Sequence, residues 1–287
     1  MRPSSFRPGR GLSAGLRSGA AIALVSALSF TAFSAQTPQP RNPEAPAPQK
    51  PPAPAPPKAA APATLPSART IIDRHIEAIG GRKAVLGHSS SHVSGTMSMA
   101  SSGVSGVVDV YAAKPNLSLL KVTIGGIGEV LEGFDGTVGW SVSAITGPML
   151  ALGKELEQKK FDAAFDAELH DNARYKSMET LEQTTFENHP AYKVSLTHLD
   201  GTEDIEYYDV KTRFRIATVA TRESPMGPMK VTMSYGDYKK FDDVLVPTTM
   251  TQTTMGVQQV LTFTSVEFDK VPPSMFEPPA AIKALIK

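Results

Sequence analysis

One stretch constrains this chain more than any other: Ile71-Ile72-Asp73-Arg74-His75-Ile76-Glu77-Ala78-Ile79-Gly80-Gly81. Ile72, Ile76 and Ile79 recur at helical spacing with Ile71 beside them, while Asp73, Arg74 and Glu77 fall on the other side. Ser67 or Thr70 is placed to cap the start, and Gly80-Gly81 supplies a left-handed exit. Almost everything after this helix reads as short strands. A single amphipathic helix among many strands needs a sheet to bury its isoleucine stripe. The pattern therefore predicts a curved antiparallel sheet wrapped over the helix.

After a short helical turn at 83–86, strands are expected at 92–99, 104–112, 117–124, 127–134 and 138–143, punctuated by Gly, Pro and Asn. Met97 and Met99 share a face, as do Val108 and Val110. Beyond Gly147-Pro148 the spacing of Leu152, Leu156, Phe161 and Phe165 predicts a helical insert over 149–169, with lysines for solvent. Strands resume near Tyr175, Tyr192, Glu203, Arg213, Met229, Leu245 and Val257. Met229, Val231, Met233 and Tyr235 alternate with Lys230, Thr232 and Ser234. Near the C-terminus Leu261 and Phe263 are out of phase with Val266 and Phe268, which predicts a bulge between them. About eleven or twelve short-linked strands imply antiparallel meanders, and a sheet that long must curl. The expected fold is α+β, mainly β: a curved antiparallel half-barrel of about eleven strands with helices packed on the concave face.

The first part of the chain is different in kind. Arg2, Arg7, Arg10 and Arg17 precede an apolar run from about Ala20 to Phe33, followed by small residues. That order reads as a signal peptide over 1–35, cut after Ser34 or Ala35, and an uncleaved anchor is the minority reading. Residues 36–68 hold half of the chain's 24 prolines and read as a disordered Pro/Ala-rich linker. In polyproline II form it would span on the order of 90 Å. Residues 69–287 remain as one domain, enough for a sizeable core. Its address is the periplasm. The absence of cysteine excludes disulfides, thiol chemistry and the acylated cysteine of a lipoprotein anchor. A net charge of +1 gives no footprint for nucleic acid.

Motifs of catalysis do not assemble. His88 and His92 have helical ligand spacing, but Ser89-Ser90-Ser91 between them reads as a passage into a strand, so they are expected to face solvent. Gly103-Val104-Ser105-Gly106 lacks the spacing of a nucleophile elbow. Gly125-Gly126-Ile127-Gly128 has no helix or lysine after it and reads as a hairpin turn. A rival reading, a hydrolase hidden in the cavity, would be marked by a buried histidine beside a carboxylate, which the sequence does not display. No enzyme activity, metal or cofactor is expected.

What remains is apolar and adaptable. Ten methionines besides Met1 lie in the later part, several on strand faces, where methionine suits varied apolar ligands. The half-barrel's ligand-facing set is read as Met97, Met99, Val110, Leu120, Val122, Met229, Val231, Met233, Met250 and Phe263.

The order of several motifs is also familiar. They are Ile76-Glu77-Ala78-Ile79-Gly80-Gly81, Lys114-Pro115, the run Glu132-Gly133-Phe134-Asp135-Gly136-Thr137-Val138-Gly139-Trp140, and Glu206-Tyr207-Tyr208-Asp209-Val210-Lys211-Thr212. Tyr235 to Pro247 and Phe276-Glu277-Pro278-Pro279 follow. On these the chain resembles the bacterial periplasmic LolA-like family, the outer-membrane lipoprotein-sorting proteins and their relatives, over about 68–279. The resemblance implies a half-barrel whose concave face, partly covered by helices, takes lipid or lipoprotein acyl chains without catalysis, as carrier or sensor. It also implies that Trp140 packs between helix and sheet and that Gly136 serves a turn. Arg213 follows Thr212 where the family commonly has Gly, Asp243 replaces a turn Gly, and no residue of this sequence is picked out as the interior arginine that governs lid closure in the carriers. The alternative is an envelope stress-sensing or protein-interaction module on the same fold, with an envelope protein as partner.

Overall fold

The computed structural model describes residues 64–224 and 227–286. The expected signal peptide, all but the end of the Pro/Ala-rich segment, and Pro225-Met226 lie outside the described residues. The first helix, α1, is Ala68–Ala78, starting three residues before the isoleucine stripe. Ser67 caps it, its hydroxyl accepting from the Thr70 N–H at 3.2 Å. Gly81 closes the other end, its N–H reaching back to the Ile76 carbonyl at 2.8 Å. A short α2 follows at Arg82–Gly87.

Thirteen strands then form one sheet: β1 Ser90–Met99, β2 Val104–Ala113, β3 Leu117–Ile124, β4 Gly128–Phe134, β5 Gly139–Ser143, β6 Gly147–Leu150, β7 Tyr175–Phe186, β8 His189–His198, β9 Glu203–Asp209, β10 Arg215–Arg222, β11 Met229–Phe241, β12 Val244–Thr254 and β13 Val257–Phe268. Their order across the sheet is β6-β5-β4-β3-β2-β1-β13-β12-β11-β10-β9-β8-β7. Every pairing is antiparallel, and the sheet curves without closing. Two meanders thus run in opposite directions along the chain and join where β1 meets β13. That join carries the expected bulge. Ser94 faces Ser265 and Gly95 faces Phe263, so Thr264 is the extra residue that switches the face. Gly95 is needed there, because a Cβ would come within 2.1 Å of the Thr262 carbonyl oxygen.

The sheet has two covered faces. On the inner face, Val93, Met97, Val108, Val110, Val122, Met233, Met250, Leu261 and Phe263 form one buried cluster. The isoleucine stripe of α1 continues this face across β8 and β9, against Val194, Leu196 and Tyr208. On the outer face of β2–β6, Leu119 and Trp140 pack under Phe276 and Ile282, the latter on the C-terminal α4 (Ala280–Lys283). Trp140 therefore does lie between a helix and the sheet, but on the face away from α1. Its ring covers Gly133, its cross-strand partner, where a Cβ would come within 2.3 Å of the indole.

The helical insert is shorter than its apolar spacing predicts. Met149 and Leu150 belong to β6, paired with Ser141 and Trp140. The helix itself, α3, is Gly153–Asp162 and fully buries none of its residues. Leu152, expected inside, is 70% exposed. A short edge strand followed by an amphipathic helix mimics the spacing of one longer helix, because both present apolar residues at intervals of three or four. Phe165, beyond the helix, is the residue that goes inside, 1% exposed and packed into the inner cluster.

Candidate functional site

The ten residues read as ligand-facing all lie on the buried face. All but Met229 belong to the single inner cluster with Phe165, and Met229 is buried at the start of β11. They are packed against one another, and the open room lies beside them. A cleft between the C-terminal end of α1, α2 and the strands β1, β11, β12 and β13 is lined by Ile79, Val85, Val93, Tyr238, Val246, Met250 and Phe268, with Glu168 and Arg215 at its polar end. Its free volume is about 40 Å³, room for on the order of three waters. Of the ten, Met250 alone lines this cleft.

The polar end is a buried charge cluster that the sequence reading did not find. Arg215, at the start of β10, donates from Nη1 to Glu206 Oε1 at 2.9 Å and from Nη2 to Glu168 Oε2 at 2.8 Å. Its guanidinium lies 5.0 Å from the Tyr235 ring, and its carbonyl accepts from the Tyr238 hydroxyl at 2.7 Å. His75 of α1, fully buried, donates from Nε2 to Glu168 Oε1 at 2.7 Å while its Nδ1 accepts from the Arg215 N–H at 3.2 Å. His170 Nε2 sits 3.0 Å from Glu206 Oε2, which also accepts from the Tyr208 hydroxyl. Burial alone would raise the Glu168 carboxyl, but Arg215 and His75 overcome it and hold it at about 2. Glu206 is likewise held well below the usual carboxylate range, its burial outweighed by His170 and Arg215. A signal for this cluster did exist: Asp204, Glu206 and Tyr208 occupy the inward phase of β9, where uncharged residues are the rule.

This cluster ties the segment 151–174 to the sheet, and two further contacts do the same. Arg222 of β10 forks onto Asp204 at 2.9 and 3.2 Å and approaches Asp162 of α3 at 3.8 Å. Lys159 of α3 donates to Glu132 of β4 at 3.0 Å. Lys154 of α3 adds a fourth ionic contact to Glu223 at 3.9 Å, and two large apolar side chains of the segment are buried, Phe165 in the inner cluster and Leu169 against the α1 stripe.

The histidines also correct the sequence reading. His88 is not solvent-facing: it stacks on Phe268 at 3.9 Å and bridges Asp269 and Asp243 at 2.9 and 3.0 Å. His92 bonds Asp109 at 2.8 Å and stacks on Tyr111. Buried histidines beside carboxylates, the mark set for a hydrolase, are present in His75, His170 and His198, the last 3.2 Å from Asp204. Both ring nitrogens of His75 and of His170 are engaged by Glu168, Glu206 and backbone groups, and among the described residues no serine or threonine hydroxyl bonds to any of the three. Ser94, His92 and Asp109 do meet, but Ser94 Oγ and the carboxylate converge on the same Nε2, so the ring has no second nitrogen set between them. Among the described residues no cluster of three or more His, Asp or Glu has the arrangement of a metal site.

No family model matches the sequence, and no curated protein does. The fold does have counterparts. A LolA superfamily protein from Nitrosomonas europaea overlays with a TM-score of 0.50 at 14% identity, covering 75% of this chain and 99% of that one. A DUF1329 family protein from Desulfovibrio piger gives 0.49 at 13% identity over 73% and 95%. A putative outer-membrane lipoprotein-sorting protein domain from Vibrio parahaemolyticus gives 0.46 at 12% over 70% and 92%. The first of these shows that the chain has the LolA-like fold, as its motif order implies.

Proposed function

We propose that this protein binds lipid or lipoprotein acyl chains, without catalysis, in the hydrophobic face of its half-barrel, as a periplasmic carrier or sensor. In this reading 1–35 is removed as a signal peptide, 36–68 is a spacer, and 69–287 is the binding unit. One observation carries the proposal. The inner face is lined largely by methionine, valine and leucine, and Phe165 reaches into it from a segment whose other ties to the sheet include ion pairs at Lys159, Asp162 and Glu168. Methionine-rich surfaces repack around varied apolar shapes. An entering chain would take the place of Phe165 and extend along Met97, Met99, Val110, Leu120, Val122, Val231, Met233, Met250 and Phe263, toward Met229 at the end of β11.

The test is native mass spectrometry of protein purified from the periplasm, followed by organic extraction, with a fluorescent fatty acid titrated into the stripped protein. A stoichiometric acyl ligand, or saturable probe binding, is the expected result. Phe165→Ala should tighten probe binding about tenfold, while lowering stability by about 3–5 kcal/mol for the lost ring. Protein that arrives empty and refuses the probe in both forms would overturn the acyl reading. A protein partner copurifying with such empty protein would then point to the interaction-module alternative.

A further inference from the structure

A second cavity, sharing no lining residue with the apolar cleft, opens between α1 and the β9–β10 turn. Its walls are Ile71 and Arg74 of the helix, Tyr192 of β8, Tyr208 and Asp209 ending β9, and Val210 and Arg213 of the turn. Its free volume is about 260 Å³, several times that of the cleft. Two arginines, Arg74 and Arg213, line this space. Both arginines are exposed, and among the described residues neither side chain has a hydrogen bond or ion pair. The one carboxylate in the wall is already engaged. Asp209 Oδ1 accepts from the Lys211 and Thr212 N–H groups and the Thr212 hydroxyl, at 2.6 to 2.9 Å, and Oδ2 lies 3.4 Å from His189.

The backbone beneath Arg213 makes the second point. Its φ is +67°, a left-handed conformation that glycine adopts freely and a long side chain adopts at a cost. Its carbonyl oxygen lies 3.2 Å from His75 Nδ1, so the turn is pressed against α1 one residue from Arg74. A costly backbone site that nonetheless carries a guanidinium, beside a second unpaired guanidinium, points to a use for the charge. Arginine's fork matches the oxygens of a phosphate group, and the Tyr192 side chain, unbonded among the described residues, stands in the same wall.

We propose that this cavity binds a phosphate-class oxyanion, gripped by Arg74 and Arg213. The same chemistry is presented by a phospholipid headgroup and by a soluble phosphate. The site uses none of the residues assigned to acyl chains, so it stands or falls independently of that reading.

The full chain would be titrated calorimetrically with inorganic phosphate at an ionic strength held constant by chloride. It would also be floated with vesicles of phosphatidylglycerol in phosphatidylcholine. Saturable phosphate binding is expected, weakened about tenfold by Arg74→Ala and by Arg213→Gly, each removing one charge-assisted contact. Arg213→Gly should at the same time raise Tm by about 2 °C, because glycine relieves the left-handed strain. Vesicle binding lost in the same variants identifies a headgroup as the source; phosphate binding without vesicle binding identifies a soluble ester. Either supports the site. Wild-type protein that binds neither probe, or variants that bind as wild type does, would overturn it. So would a fall in Tm for Arg213→Gly, which would make Arg213 a structural residue.

Discussion

Arg215 is a strand residue whose side chain runs inward, and its charge is permanent at any pH the protein meets. Two glutamates, Glu168 and Glu206, are arranged to receive it. Removing one partner of such a group strands the others in a poorly solvated site, which typically costs 3–5 kcal/mol. Arg215→Met should therefore lower the urea-derived unfolding free energy by about 3–5 kcal/mol, even though methionine fills much of the same volume. Arg215→Lys should fall between the two, since an ammonium lacks the fork that reaches both carboxylates. A stability for Arg215→Met within about 1 kcal/mol of wild type would mean that the cluster is solvated and holds nothing. The sequence hid this residue for a physical reason. A lone arginine at a strand start is normally a solvated end, and its partner Glu168 lies forty-seven positions away in a turn. Glu206 is turned inward although its neighbours Ile205 and Tyr207 are the more apolar pair, so alternation along β9 points the wrong way there. By contrast, the apolar set was legible residue by residue, because strand alternation assigns faces without knowledge of partners. What alternation cannot say is whether the face is open or filled, and Phe165 fills it.

At the scale of elements, the isoleucine helix, the hairpins and the β13 bulge follow from local patterning, and all three appear where that patterning places them. The insert over 149–169 does not, because its spacing was shared between β6 and α3. The C-terminal tail was the least legible element: Phe276 and Ile282 are only a few residues apart, and nothing local shows that they cross to the outer face. Their partner Trp140 is the chain's one tryptophan and is 1% exposed, which makes it a specific reporter of that docking. Phe276→Ala should loosen the tail, cost about 3–5 kcal/mol and shift the tryptophan emission to the red. Emission unchanged in the folded variant would show that the sheet alone shields the indole.

For the whole molecule, the two meanders meet at β1 and β13, so the sheet's centre is made by residues from opposite ends of the folded chain. Short links predicted the meanders, while that join depends on closure over the full length and no local signal carries it. What spans the two halves on the inner face is the 151–174 segment, and its ionic contacts give the fold a predictable response to acid. Glu168 is lowered from 4.5 to about 2 in the folded state, so folding favours its ionised form. Such a group's contribution is complete above about 4.5 and is lost as pH falls through about 2; by the shift it is roughly 3 kcal/mol. Glu206 and Asp204 are lowered too and act in the same direction. Asp162 is raised, chiefly by burial, so it opposes them and gains from protonation. Asp200, Asp209 and Asp269 are lowered as well, against Glu155 and Asp162 raised, so the lowered carboxylates outweigh the raised ones and stability measured by urea should fall by several kcal/mol between about pH 4.5 and 2. The Glu168→Gln variant should start less stable at pH 7 and lose less over that window, by roughly 3 kcal/mol, because glutamine has no proton to gain. If the variant and wild type instead fall in parallel, Glu168 is not a source of the acid response, and the tie between the segment and the sheet must rest on Phe165 and the other ionic contacts.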